Sequence, residues 1–340
     1  MTRKATINDV AARAGVSIKT VSRVLNGEQA VRPDTRQRVR AAVEALNYRP
    51  SRSARSLASG RSYLIGLLYH NPSANYVVDV QHGALDKCLE NGFHLFSHPT
   101  DLYAPDLGGM VANLVHQANL DGLILTPPLC SSPALLAELD REHIPFVRVS
   151  PVDRTHPSPY VLMDDVQASR DMTTYLIELG HRRIAHIFGH PDHAASEQRL
   201  EGFRGALAEH GLVADPSLIV EGRFSFETGR ACAQTLLGLA DPPTAIVAAN
   251  DDLAAGAVMA AHEAGLGVPE DLSVAGFDDT HVARVVWPPL TTVHQPIYDL
   301  ANAAADLLLK RLTGDDSGPR YVELPHKLVI RQSTGPTPSA

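Results

Sequence analysis

Three pairs of similar segments constrain the fold of this chain more than any other feature. "YLIGLLYHNPS" (63–73) resembles "RRIAHIFGHPD" (182–192): a polar or basic start, an apolar run, then a loop of Gly, Pro and Asn. "LDGLILTPP" (120–128) echoes "PTAIVAAND" (243–251), and "PFVRVSP" (145–151) echoes "LSVAGFDD" (272–279). Short apolar runs alternating with amphipathic stretches are the pattern of a parallel sheet covered by helices. The duplication therefore predicts an α/β body of two doubly wound lobes, each of about a hundred residues or a little more. At 340 residues and 44% hydrophobic content, the chain has material for two or three domains with real cores.

In doubly wound sheets, ligands bind beyond the carboxyl ends of the strands. The loops after the six apolar runs are thus expected to line one cleft between the lobes. Asn71 and Tyr76 follow the first run, Arg199 lies in the helical stretch after "IFGHPDH", and Phe224 follows "LIVEGR". Asn250 follows "AIVAA" and Asp278 follows "VAGF". One Arg, one Asn and one carboxylate supply donors and acceptors for a polyhydroxylated ligand, and Phe224 supplies an apolar face for a sugar ring. Taken singly, an Asp at a strand end is most simply a helix cap. Convergence of several such residues on one cleft favours binding.

The first sixty residues differ in character. Residues 1–61 carry 13 Lys/Arg against 4 Asp/Glu, a balance of +9, whereas the remainder carries 17 against 34, a balance of −17. A basic head on an acidic body is expected where only the head meets a polyanion. A functionless solvated basic segment would show the same charge. Thr6 with Asp9 three residues on reads as a helix start, and Ile7, Val10, Ala11 and Ala14 follow helical spacing. Gly15 is placed to end that helix in a left-handed conformation, and Ser17 to cap a second running to about Asn26. A third begins near Pro33 and carries Val39, Ala42, Val43 and Leu46 on one stripe. Two short helices joined by a glycine turn, closed by a third, form a helix-turn-helix unit.

The second helix divides its residues. Val21, Val24 and Leu25 form an apolar stripe, while Lys19, Ser22, Arg23 and Asn26 form a polar one. Lys19 and Arg23 suit guanine edges or phosphate, and Ser17, Thr20 and Ser22 suit phosphate oxygens. Ile18 is ambiguous, since its spacing suits the core and its position suits a thymine methyl. A three-helix bundle that binds protein is the plainer alternative. Beyond it, "YRPSRSARSLASGRS" (48–62) holds about two turns of helix, too short to be stable alone in water. It reads either as a linker or as a segment that folds on docking, with Arg52 and Arg55 toward DNA and Leu57 as an apolar wedge.

The segments "TINDVAARAGVSIKTVSRVLNG" and "VRPDTRQRVRAAVEALNYRPSRSARSLASGRS" resemble the lactose-repressor (LacI/GalR) family of bacterial transcription regulators. "SEQRLEGFRGAL", "AANDDLAAGAV" and "LSVAGFDDTHVARVVWPPLTTVHQP" carry the resemblance through the body. The resemblance implies an all-α helix-turn-helix headpiece joined to an α/β, periplasmic-binding-protein-like body. It turns Ile18, Lys19 and Arg23 toward base edges and makes Ala54 and Leu57 the hinge residues of the minor groove, with Leu57 as the lever. It makes Arg199, Asn250 and Asp278 effector-binding residues and Phe224 the aromatic that packs on the ligand; Tyr76 falls in a ligand-facing stretch whose sequence departs from the usual pattern. Ser51 stands where the family commonly has Asn.

The expected boundaries are 1–50 for the headpiece, 51–61 for the hinge, 62–161 plus 293–320 for the first lobe, and 162–292 plus 321–333 for the second. Residues 334–340 are expected to be a disordered tail, without the leucine heptads of a tetramerisation helix. The expected function is an effector-controlled, sequence-specific DNA-binding regulator, a repressor of carbohydrate-utilisation genes released by a sugar or sugar-derived inducer. Its expected partners are a palindromic double-stranded operator, a small-molecule effector and a second copy of the chain. The alternative is a sugar-binding receptor or sugar-modifying enzyme that does not touch DNA. No G-x-S-x-G, G-x-G-x-x-G or P-loop pattern occurs, so no enzyme activity and no cofactor are expected. His186, His190 and His193 invite a metal reading, but polar loop histidines are the simpler account, and Asp164-Asp165 reads as a helix cap rather than a catalytic dyad. Three isolated cysteines (Cys88, Cys130, Cys232), the lack of a secretory h-region and the lack of a long apolar run point to the cytoplasm, with no membrane partner.

Overall fold

The computed structural model describes residues 5–25, 31–48, 61–315 and 318–338. The chain divides into two compact units, Met1–Tyr63 and Leu64–Ala340.

The first unit contains helices α1 (Ile7–Ala14), α2 (Ile18–Leu25) and α3 (Pro33–Ala45). Thr6 and Asp9 close a reciprocal capping box, and Gly15 ends α1 at φ 62° in the left-handed region. The Ser17 hydroxyl accepts the Thr20 amide at 3.2 Å, starting α2. Val10, Ala11, Ala14, Val21, Val24, Val39, Ala42 and Tyr48 form the core. Small residues on α1 let the three helices approach closely enough to bury so short a unit.

The second unit carries two six-stranded sheets. The first lobe holds β1 (Leu64–Tyr69), β2 (His94–Pro99), β3 (Gly122–Leu125), β4 (Phe146–Val149) and β5 (Tyr160–Leu162), with helices α4 (Ala74–Glu90), α5 (Leu107–Ala118) and α6 (Pro133–Arg141). The second lobe holds α7 (Asp165–Glu178), β6 (Ile184–Phe188), α8 (Ala194–Glu209), β7 (Ile219–Glu221), α9 (Phe226–Leu237), β8 (Ala245–Ala248), α10 (Asp251–Glu263), β9 (Ser273–Asp278), α11 (Val282–Val285) and β10 (Thr291–His294). The chain then returns to the first lobe as α12 (Ile297–Thr313) and β11 (Tyr321–Glu323), and ends in the second as β12 (Lys327–Val329). Strand order is β11-β5-β4-β3-β1-β2 in one sheet and β12-β10-β9-β8-β6-β7 in the other. All pairings are parallel except β10 with β12. Strands β3, β4, β6 and β8 are buried throughout, as strands covered on both faces are; β3 and β8 are continuous apolar runs, and β4 and β6 each bury one polar side chain, Arg148 and His186.

Three expected boundaries differ from this arrangement, the first being 161/162, which falls inside β5. Residues 321–323 were assigned to the second lobe, yet β11 completes the first sheet beside β5; a three-residue edge strand carries too little pattern to reveal its sheet. The boundary at 292/293 likewise falls inside β10. The tail expected to be disordered is tied down as far as it is described: Gly335 donates to Ser273 Oγ at 3.0 Å, and Thr337 donates to the Leu179 carbonyl at 3.0 Å. Backbone hydrogen bonding, which composition does not report, orders these residues.

Three crossings link the lobes, at Met163–Asp164, Gln295–Pro296 and 324–326. The first and third run side by side, since the Leu324 amide donates to the Leu162 carbonyl at 2.9 Å. Helix α12 is held to the first lobe by close packing on α4. A Cβ added at Gly83 would lie 2.1 Å from the Tyr298 carbonyl oxygen, a contact that only glycine allows. Gly83→Ala should push α12 off α4 and lower stability by about 1–3 kcal/mol, measurable by urea unfolding. An unchanged midpoint would show that the helices separate without cost.

Candidate functional site

In the headpiece, α2 buries Val21 and Val24 and leaves Ser17, Ile18, Lys19 and Arg23 exposed, with Thr20 and Ser22 half-buried. Ile18 is 50% exposed, which settles its ambiguity: it projects from the bundle rather than filling it. The Ser17 and Thr20 hydroxyls lie 2.9 Å apart, so one of the pair has a proton to offer outward. Asn26, Ser51, Arg52, Ala54, Arg55 and Leu57 lie outside the described residues.

In the body, the loops at the carboxyl ends of the strands bring Asn71, Tyr76, Arg199, Phe224, Asn250 and Asp278 around one cleft between the lobes. Arg199 is its centre. It is buried, its Nε donates to Asp165 Oδ1 at 2.8 Å, and its Nη2 donates to Gln295 Oε1 at 3.1 Å. Its Nη1 reaches the Ala249 carbonyl and, at 3.5 Å, Asp278 Oδ1. The guanidinium lies 3.6 Å over the Phe277 ring. Asp165 follows the first crossing and Gln295 belongs to the second, so this one side chain ties two of the three interlobe connections together.

The other groups are held with similar economy. Asn250 caps α10 by accepting the Leu253 amide at 2.9 Å, and its Nδ2 donates to the Phe224 carbonyl at 3.3 Å. That bond supports Phe224 in the left-handed region at φ 57°, where a bulky residue is strained. The Phe224 ring lies edge-on to His193, with centroids 5.3 Å apart, and packs where a Cβ at Gly189 would sit. Asp278, at φ 106°, is buried, and burial pushes its carboxyl well above the usual carboxylate range against the pull of Arg199. Burial, with Asp278 nearby, also raises the Tyr76 hydroxyl. Behind them Asp251 accepts from the Thr280 amide (2.7 Å) and the Thr292 hydroxyl (2.6 Å), yet burial dominates and raises it to about 7.

Three hydrogen bonds, to two carboxylates of the second lobe, close the cleft across the lobes. Ser73 Oγ and Asn75 Nδ2 of α4 and its cap donate to Asp252 at 2.6 and 3.3 Å, and the Tyr103 hydroxyl donates to Asp192. The space left inside is about 30 Å³, room for about two water molecules.

Several lining residues were not anticipated. Asp164 does cap α7, accepting the Gln167 amide at 2.9 Å, but Asp165 pairs with Arg199 instead of capping. Gln295, Ser150 and His193 also line the cleft. The doubled Asp and the "VHQP" segment were visible, but nothing local places them beside Arg199. His186 is no loop histidine: it lies in β6, fully buried and stacked on Phe203 with centroids 5.0 Å apart.

Comparison with known proteins decides the family. Residues 6–51 match the bacterial regulatory proteins of the lacI family, and residues 173–334 match the periplasmic binding protein-like domain. The chain is 36% identical over 335 residues to the HTH-type transcriptional regulator DegA of Bacillus subtilis (strain 168), covering 98% of this chain and 99% of that one. The chain belongs to the LacI family. Another LacI-family relative is catabolite control protein A of Priestia megaterium, 33% identical over 330 residues, covering 97% of this chain and 99% of that one. Among solved structures it is similar to the lac repressor dimer bound to operator and the anti-inducer ONPF, with TM-score 0.84 and 31% identity over 98% of this chain and 100% of that one. It is also similar to a complex of the transcriptional regulator CelR with cellobiose, with TM-score 0.74 and 32% identity over 97% and 99%. The architecture is therefore that of this LacI-family regulator throughout: a helix-turn-helix headpiece and a periplasmic-binding-protein-like body. Among the described residues no helix is long and apolar enough to cross a membrane.

Proposed function

We propose that this LacI-family chain is a cytoplasmic, non-enzymatic repressor of carbohydrate-utilisation genes that binds a palindromic operator as a homodimer and is released by a sugar. The observation that carries the reading is the pairing, in one chain, of an exposed basic recognition face on α2 with a buried Arg199–Asp165–Asp278 cluster in the interlobe cleft. The lac repressor neighbour is a dimer on operator DNA, and the CelR neighbour holds cellobiose.

In this reading Ile18, Lys19 and Arg23 meet base edges, Ser17, Thr20 and Ser22 meet phosphates, and Asn26, Ala54, Arg55 and Leu57 extend the interface through the hinge. In the body, Arg199, Asp278 and Asn71 bond sugar hydroxyls, Asn250 positions Phe224, and Phe224 and Tyr76 border the ring. Sugar hydroxyls compete with Asp278 and Gln295 for Arg199, which alters the tie between the crossings. Release requires that the sugar bind the DNA-free arrangement more tightly than the DNA-bound one, by a coupling of about 1–3 kcal/mol.

Operator affinity should fall by about a thousandfold or more between roughly 50 and 200 mM salt, as expected for six to ten phosphate contacts. Fluorescence anisotropy of a labelled duplex from upstream of the chain's own gene measures this. An affinity indifferent to salt would count against the headpiece assignment.

A further inference from the structure

Two helix N-termini meet across the cleft, and one carboxylate stands between them. Asp252 lies in the first turn of α10, two residues after the cap Asn250. Its Oδ2 accepts the hydroxyl of Ser73, the cap of α4, at 2.6 Å, and its Oδ1 accepts the Asn75 side-chain amide at 3.3 Å. Both helix ends carry partial positive charge, so they would repel without an anion between them. We propose that Asp252 is a latch: it holds the two lobes together, and an effector enters the cleft only when its bonds to Ser73 and Asn75 break.

Size gives the latch its consequence. In this arrangement the inner space is about 30 Å³, and a single sugar ring is several times larger than the water molecules that would fill it. A ligand that is to reach Arg199, Asn250 and Asp278 therefore has to part the lobes. Where only the parted form binds, apparent affinity falls in proportion to the fraction of chains that are parted. Asp252 does not line the inner space, so it sets affinity without touching the ligand there.

Both halves of the latch are joined to the site. Ser73 Oγ also accepts the Tyr76 amide at 3.4 Å, and the Ser73 amide donates to Asn71 Oδ1 at 2.8 Å, so one turn links the latch to two residues of the cleft. On the other side, Asn250 starts the helix that carries Asp252 and supports Phe224. Contacts made at Asn71, Tyr76 or Phe224 thus bear on the two turns that hold Asp252 and its donors. The Tyr103–Asp192 bond is a weaker clasp, because Tyr103 is 62% exposed.

Single-molecule energy transfer on the full chain tests this, with dyes on Met110→Cys and Val213→Cys. Both positions are exposed and flank β2 and β7 in sequence, the edge strands farthest from the crossings, while the native cysteines are buried. Labelled chain is diluted into unlabelled chain, so that each assembly carries one dye pair. The wild type should populate mainly the closed distance. Asp252→Ala should raise the ratio of open to closed chains about tenfold, as expected for a lost charge-assisted bond. Asp252→Asn, which keeps the size and one acceptor, should raise it about threefold. Asn75→Ala should add little to Asp252→Ala, because its partner is already gone. The same distribution in wild type and Asp252→Ala, or an Asn75→Ala effect undiminished in the Asp252→Ala background, would overturn the latch. The proposal rests on the cleft being the effector site, not on the effector being a sugar, and its test needs no ligand. Its failure therefore leaves the sugar reading standing.

Discussion

Replacing Arg199 with alanine is expected to lower the stability of the body by about 3–5 kcal/mol, the cost of breaking a buried ion pair from one side. The guanidinium faces two buried carboxylates, Asp165 and Asp278, and a buried amide, Gln295. Its removal takes from buried Asp165 the guanidinium that donates to it at 2.8 Å, and it frees the crossings at Asp165 and Gln295 from each other. Urea unfolding measures the stability change. The surviving folded protein should still bind operator, because the headpiece is untouched, but sugar should no longer release it. Arg199→Lys keeps the charge and loses the planar fork, so it should recover part of the stability and little of the release. A fully stable Arg199→Ala variant with normal release would remove Arg199 from the centre of the site.

The second large effect concerns acid. His186 and His193 are buried, and burial lowers each to about 3. A histidine whose folded pKa lies below its unfolded value of about 6.5 binds protons preferentially in the unfolded state. Its contribution is intact above pH 6.5 and is lost as the pH falls toward 3, by about 1.4 kcal/mol per pH unit. At pH 5 each histidine therefore costs roughly 2 kcal/mol. Asp251, raised to about 7, acts with the opposite sign: its contribution is full below about pH 4 and is lost as the pH rises through 7. The two trends oppose each other in the wild type, so single variants separate them. The His186 ring stacks on Phe203 and lies beside the Val247 backbone. His186→Phe keeps the stack and removes the titration. Its stability advantage over the wild type should grow by about 2 kcal/mol between pH 7.5 and pH 5. An advantage that is the same at both pH values would mean that the imidazole is not held neutral.

Much of this fold was legible because its decisive signals are local. The apolar runs at 63–73, 120–128, 145–151, 182–192, 243–251 and 272–279 each contain a strand, from Leu64–Tyr69 to Ser273–Asp278. Thr6 with Asp9, Gly15 and Pro33 punctuate the headpiece as their conformational preferences dictate. Legibility failed where position depends on the other lobe. Gln295 sits in a crossing, and its partner Arg199 lies 96 residues away in sequence. Asp165 stands next to a genuine cap and shares its residue type, so only tertiary contact tells them apart. His193 meets the Phe224 ring in the cleft, and Phe224 is held at an unusual backbone angle that no periodicity announces. Periodicity would have buried Ile18; the family resemblance turned it outward, and the structure leaves it exposed.

The central claim is that one chain couples operator binding to a sugar in the interlobe cleft. Anisotropy of a labelled duplex from upstream of the chain's own gene, titrated with protein and then with glucose, galactose, ribose, cellobiose, maltose and lactose, tests it in one vessel. The account predicts binding at about 10⁻⁸ M or tighter in moderate salt, at least a thousandfold tighter than to scrambled DNA of the same length. It also predicts release by one of the sugars. Equal affinity for scrambled DNA, or operator binding that no sugar alters, would contradict it.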